Sequence, residues 1–221
     1  MTFRFLGIPL FFLSLLFATL PDLSQAEADS ASGKFKADTA VVKKVIDGDT
    51  VILDDGRHVR YIGINTPETP KPDHKGEPFA KEAAKYNREL ANGKKVRLEY
   101  DRTMQDRYGR TLAWLWLEDG TLINEKMIRE GYAHCLYDSK NNKYFERLLQ
   151  SQRKAMREGK GIWSMLGREK EELVGNSRSL RFHEIRCDLA KQISQRNRKA
   201  FDSRWDAFWQ GYAPSKKCSA D

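Results

Sequence analysis

The chain has 221 residues, which suits one domain of common size with extensions. Hydrophobic residues make up 40% and charged residues 32%, which excludes a wholly disordered chain and permits a packed core. The 39 basic and 31 acidic side chains leave a formal net charge of +8, which fits a polyanionic partner and equally a plain solvated basic surface.

Met1-Thr2-Phe3-Arg4 is a short basic start, Phe5 to Leu20 is an apolar run, and Ser24-Gln25-Ala26 carries small residues where a signal peptidase reads. Residues 1–26 therefore read as a secretory signal peptide cleaved after Ala26. That predicts a secreted or periplasmic protein with no stable membrane association. An uncleaved anchor is the alternative, although the run is short of the ~20 apolar residues a span needs. Residues 27–38 are small, polar and charged and read as a linker.

Val41, Val42, Val45 and Ile46 predict a strand ending in an Asp47-Gly48 turn. Thr50 to Leu53 is a second strand, Asp54-Asp55-Gly56 a hairpin turn, and Val59 to Ile64 a third strand. Glu77-Pro78 opens a helix whose Phe79, Ala83, Tyr86 and Leu90 recur at helical spacing until Asn92-Gly93. Val96 to Tyr100 and Leu112 to Leu117 are two more strands, joined by the polar turn Asp101 to Arg110. A short helix over Ile123 to Glu130, closed by Gly131, precedes a longer one over Tyr144 to Glu158. Five short strands with helices between them predict an α+β, mainly β-barrel fold: a five-stranded OB-fold barrel with three packed helices over residues 39–166.

Residues 167–221 differ in character. Phe182, Ile185, Leu189 and Ile193 lie on one helical stripe; Phe201, Trp205, Phe208, Trp209 and Tyr212 form a second, aromatic one. The prediction is a C-terminal extension of one long or two shorter amphipathic helices, packed on the barrel or on each other. Of the three cysteines, Cys187 and Cys218 could pair and leave Cys135 as a buried apolar residue. None has zinc spacing, and His134 reads as a strand or loop residue rather than a ligand.

Three turns carry groups that could do chemistry, and each alone has a plain reading. Asp47-Gly48-Asp49 is ordinary turn composition. Thr66-Pro67-Glu68 is a rigid turn at a strand end. Asp106-Arg107-Tyr108-Gly109-Arg110 is a solvated hairpin with an aromatic. Together they meet the needs of phosphodiester hydrolysis, which requires cations to neutralise the phosphate and a base to deprotonate water. Asp49, Asn65 and Thr66 offer oxygens to a hard cation such as calcium. Glu68 offers a base. Arg60 and Arg110 offer planar forks for phosphate oxygens, and Tyr108 an aromatic or hydroxyl contact to a nucleotide.

Val45-Ile46-Asp47-Gly48-Asp49-Thr50-Val51 resembles the first signature of the staphylococcal nuclease (thermonuclease) family. Arg60 with Asn65-Thr66-Pro67-Glu68 resembles the second, and Asp106-Arg107-Tyr108-Gly109-Arg110 the third. Asn124-Glu125 and Ile162-Trp163-Ser164 are further matches. The resemblance runs over about residues 40–164. It implies an OB-fold barrel and calcium-dependent cleavage of DNA and RNA to 3′-phosphate products. Residue by residue, it implies that Glu68 is the general base and that Arg60 and Arg110 bind the phosphate and stabilise its five-coordinate state. It implies that Asp49 and Thr66 (through its carbonyl) ligate calcium, with Asn65 standing where the archetype has a second aspartate. Arg107 and Tyr108 match nucleotide-contacting positions, and Tyr137 matches an aromatic of the base-binding region only across a gap. The reading is an exported, monomeric nuclease; the alternative is a non-catalytic nucleic-acid-binding OB-fold module. Residues beyond about 167 have no counterpart in the archetype.

Overall fold

Alternation decides the first strands. In β1 (Asp38–Val45), Val42 and Val45 point inward while Val41, Lys43 and Lys44 face water, with an irregularity in the pairing between Val42 and Lys44 that bends the strand. β2 (Thr50–Leu53) buries Val51 and Leu53, and β3 (His58–Tyr61) buries Val59 and Tyr61. The Asp54-Asp55-Gly56 turn is fixed by Asp54 Oδ1, which accepts from the Val41 and Asp55 amides. The computed structural model describes residues 2, 38–70, 72 and 75–216. Apart from Thr2, the predicted signal peptide lies outside the described residues, as do the predicted linker up to residue 37 and Cys218.

After the two-residue strand β4 (Ile64–Asn65) come helix α1 (Ala80–Ala91), β5 (Lys95–Glu99), β6 (Thr111–Leu117), helix α2 (Ile123–Arg129), the two-residue β7 (His134–Cys135) and helix α3 (Phe145–Arg157). β1, β2, β3, β6 and β5 close into a barrel in that order. All its pairings are antiparallel except β3 with β6, which is parallel. The predicted five-stranded OB-type barrel with three helices is what forms.

Trp114, Tyr61, Leu53 and Ile123 are fully buried at its centre. Gly63 sits against Trp114: a Cβ there would lie 2.7 Å from the indole, and its φ of +77° suits only glycine. Asn124, also fully buried, ties α2 to the barrel. Its Oδ1 accepts from the Leu115 amide at 3.0 Å and its Nδ2 donates to the Ile62 carbonyl at 2.8 Å.

The C-terminal extension is not the expected helical element. β8 (Leu173–Asn176), β9 (Arg181–Glu184), β10 (Arg198–Phe201) and β11 (Ala213–Pro214) form a second sheet in the order β10-β8-β9-β11, with β11 parallel to β9. Among the described residues, two short α-helices accompany it, α4 (Asp188–Lys191) and α5 (Arg204–Trp209), with a 3-10 turn at Gln195–Asn197. The helical stripe was a coincidence of spacing: Phe182 is a buried strand residue, while Ile185 is exposed. The polar Asn176-Ser177-Arg178-Ser179 segment turns the chain into a hairpin, and β10, more than ten residues further on, supplies the partner. Four-residue strands are too short for a period of two to outweigh a fortuitous helical period. The aromatic stripe is divided likewise, with Phe201 in β10, Trp205, Phe208 and Trp209 in α5, and Tyr212 beyond it. Ser203 caps α5 by accepting from the Asp206 amide.

α3 lies between the barrel and this sheet. Its Leu148 and Leu149 join the barrel core, while Ala155 and Met156 join a second core with Trp163, Phe182, Phe201 and Phe208. Buried Gln152 bridges the two, accepting from the Cys135 amide and donating to the Phe208 carbonyl, both at 2.6 Å. Barrel and sheet form one compact unit. Among the described residues no helix is long and apolar enough to cross a membrane. Cys187 is disulfide-bonded, and Cys135 is a free, fully buried thiol.

Candidate active site

The turns that end β1 and β3 meet on one side of the barrel. The Asp47-Gly48-Asp49 turn is held by its own side chain, with Asp47 Oδ1 accepting from the Asp49 amide at 3.0 Å. Asn87 of α1 holds it from outside, donating to the Asp47 carbonyl at 2.9 Å and accepting from the Tyr61 hydroxyl at 3.0 Å. Asp49 thereby points inward and is only 6% exposed. Burial, and after it the neighbouring charge of Asp49, raises Asp47 above the usual carboxylate range.

Four donors surround the Asp49 carboxylate: the Arg60 guanidinium at 2.9 Å, the Thr66 amide at 3.0 Å, the Thr66 hydroxyl at 3.1 Å and the Thr50 hydroxyl at 3.2 Å. Arg60 in turn donates to the carbonyls of Tyr61 and Ile64 and to Asn65 Oδ1 at 3.3 Å. Its fork is therefore held rigidly by the strand end it belongs to. Asn65 Nδ2 donates to the Thr66 carbonyl at 3.2 Å and lies 3.5 Å from His134 Nε2, the residue paired with Asn65 across β4 and β7. Burial holds the His134 imidazole down at about 4, so it is neutral at ordinary pH.

The third turn is built by Asp106. Its Oδ1 accepts from the Tyr108 and Arg110 amides, and its Oδ2 receives the Arg110 guanidinium at 2.7 Å. Burial works to raise Asp106, but the hydrogen bonds from Arg110 and the Tyr108 amide outweigh it and keep the carboxyl below its usual range. Tyr108 stands out at 68% exposure, with the Arg107 and Arg110 guanidiniums 4.7 and 5.6 Å from its ring centre.

A cavity of about 640 Å³ collects Asp47, Asp49, Arg60, Asn65, Glu68, Asp106, Tyr108 and Arg110. The three segments singled out from sequence are thus brought to one place. Thr66 sits behind it, buried against Asp49. Arg107 and Tyr137 do not line it. Tyr137 packs edge-on against Phe145, and its carbonyl accepts from Arg181 at 2.9 Å. Asp138, Asn141 and Lys216 are polar lining residues that lie outside the segments singled out from sequence. Lys216 donates to Glu68 Oε1 at 2.7 Å across 148 residues of chain, a separation at which no sequence pattern signals contact.

Among the described residues there is no group of three or more His, Cys, Asp or Glu side chains placed to hold a metal ion. The groups gathered here are instead two carboxylates (Asp47 and Asp49), the Asn65 amide oxygen and the Thr66 carbonyl. An all-oxygen set of this kind suits a hard cation such as calcium better than zinc, which favours nitrogen and sulfur ligands. Chemically, the arrangement can bind an anion between two fixed guanidiniums and present it to the half-exposed carboxylate of Glu68.

The chain is similar to known nucleases. The family described as "Staphylococcal nuclease homologue" matches residues 58–165. The thermonuclease of Staphylococcus hyicus is 44% identical over 144 residues, covering 60% of this chain and 85% of that protein. The thermonuclease of Staphylococcus intermedius is 41% identical over 136 residues, covering 60% of this chain and 80% of that one. Endonuclease YncB of Bacillus subtilis (strain 168) is 36% identical over 129 residues, 56% of this chain and 61% of its own length.

Proposed function

This chain belongs to the staphylococcal nuclease family, and from that premise we propose that it is an exported, calcium-dependent nuclease that hydrolyses DNA and RNA to 3′-phosphate products. The observation that carries the proposal is the convergence of two rigid guanidiniums and one accessible carboxylate on a single cavity.

In this reading a backbone phosphate lies between Arg60 and Arg110. Both exchange part of their contact with Asp49 and Asp106 for phosphate oxygens, and planar forks suit that geometry better than lysine. Glu68 takes a proton from a water, whose oxygen attacks phosphorus as the bond to the 5′ oxygen breaks; the 5′ oxygen leaves with the electron pair and takes a proton from solvent. The arginines then face an extra negative charge in the five-coordinate state, so they stabilise it more than the ground state. Tyr108, exposed and flanked by arginines, gives a nucleotide a ring and a hydroxyl to rest on. Asp49, Asn65 and the Thr66 carbonyl would hold calcium, which supplies positive charge beside the phosphate when bound.

The test is cleavage of single-stranded DNA by the purified chain with calcium and with chelator. Cleavage that vanishes on chelation supports the reading. DNA retention without cleavage across several divalent metals would instead make the chain a binding module.

Asn65 brings an oxygen without a charge, and its amide occupies the Thr66 carbonyl. Asn65→Asp adds a second carboxylate to the calcium-holding set and releases that carbonyl. The calcium concentration giving half-maximal activity is expected to fall on the order of tenfold. An unchanged calcium titration would remove residue 65 from the metal site.

A further inference from the structure

The cavity is short of positive charge. Asp47, Asp49, Glu68, Asp106 and Asp138 line it, against Arg60, Arg110 and Lys216. Both arginines are already matched to buried or half-buried carboxylates at 2.9 and 2.7 Å. Lys216 is different: its side chain is 68% exposed and its ion-pair partner Glu68 36% exposed. An ion pair this exposed is weak, so an arriving phosphate can compete for the ammonium. A lysine ammonium on a flexible stem is also the group best able to move between two oxygens.

The C-terminal sheet places it deliberately. β11 pairs with β9, the Ala213 amide donates to the Leu180 carbonyl, and the Ser215 amide donates to the Phe182 carbonyl, both at 2.9 Å. The backbone is thus tied down to the residue before Lys216. Tyr212, buried against Phe201, anchors the same segment.

We propose that Lys216 is a phosphate-binding residue of this site, a third cation delivered by the C-terminal sheet and held on Glu68 until nucleic acid arrives. Transfer of the ammonium to the phosphate does two things. It adds positive charge where the polyanion lies, and it relieves Glu68 of this one ion pair. The proposal rests on the nuclease reading for its substrate.

Steady-state cleavage of a single-stranded oligonucleotide is measured with the full chain, Lys216→Ala and Lys216→Arg across a range of salt. Lys216→Ala is expected to raise KM about 3–10-fold near 0.1 M salt, with kcat within about twofold. It should also reduce the slope of log KM against log salt by about 0.7, the loss of one phosphate contact on a single strand. Lys216→Arg should restore the slope. A slope unchanged by Lys216→Ala overturns the proposal, since a merely structural role would not remove a counterion. A rise in kcat/KM overturns it too, and makes Lys216 a latch on the base. If the unsubstituted chain cleaves nothing with any metal, the nuclease reading fails on its own. The same slope, read from oligonucleotide binding by fluorescence anisotropy, then still decides the role of Lys216.

Discussion

Glu68→Gln is expected to lower the rate of cleavage about 10²–10⁴-fold, the range a positioned general base contributes. Affinity for single-stranded DNA should be unchanged or tighter, because the substitution removes a negative charge from a cavity that binds an anion. The glutamine keeps the shape of the side chain and can still accept from Lys216, so the local structure survives. Arg110→Ala offers the contrast. It removes a phosphate donor and leaves Asp106 without its guanidinium, so it should weaken binding and catalysis together. Comparing kcat with oligonucleotide affinity for the two variants separates base from binder. A Glu68→Gln protein retaining a tenth or more of the kcat would assign the base elsewhere, and Asp47 would be the next carboxylate to replace.

Removal of everything after Gly167 is expected to cost most of the fold's stability. Trp163 and Met156 are covered by Phe208, Phe182 and their neighbours from the C-terminal sheet. Exposing these two side chains alone costs about 3–6 kcal/mol. The Gln152 bond to the Phe208 carbonyl is lost as well, leaving a buried amide group without its acceptor. A domain has only about 5–15 kcal/mol in hand. The truncated chain should therefore melt tens of degrees lower, or aggregate, in a thermal unfolding experiment followed by circular dichroism. A melting midpoint within about 2 °C of the full chain would mean that the sheet merely rests on the barrel.

The barrel and the C-terminal sheet differ in how plainly their residues announce them. The barrel was readable because its determinants are local. Val41, Val42, Val45 and Ile46 are β-branched and cluster before a turn, Asp54-Asp55-Gly56 is strong turn composition, and β2 has the bounds its composition implied, Thr50–Leu53. The site's main pieces were readable because each lies in one short turn with a chemical reason for its residues. β4 and β7 were missed because two-residue strands have no period to detect. The C-terminal sheet was misread because its strands find partners only through the hairpin and β10, and four residues of apolar pattern fit helix and strand alike. Lys216 was invisible for a related reason: its relation to Glu68 exists only after two separate sheets have been assembled. The same holds for Asn87, whose hold on the Asp47 turn nothing in the α1 pattern suggested.

The buried thiol of Cys135 carries a practical consequence. Its backbone amide is engaged by Gln152, no part of the residue is exposed, and burial pushes the thiol well above its usual range. As long as the barrel is closed it is neither a nucleophile nor a partner for oxidation, so it leaves the disulfide at Cys187 undisturbed. An alkylating reagent should therefore leave the folded chain unmarked at this position and mark it fully in denaturant. The rate of its uptake at intermediate conditions becomes a clock for opening of the molecule, read at the strand that sits behind Asn65.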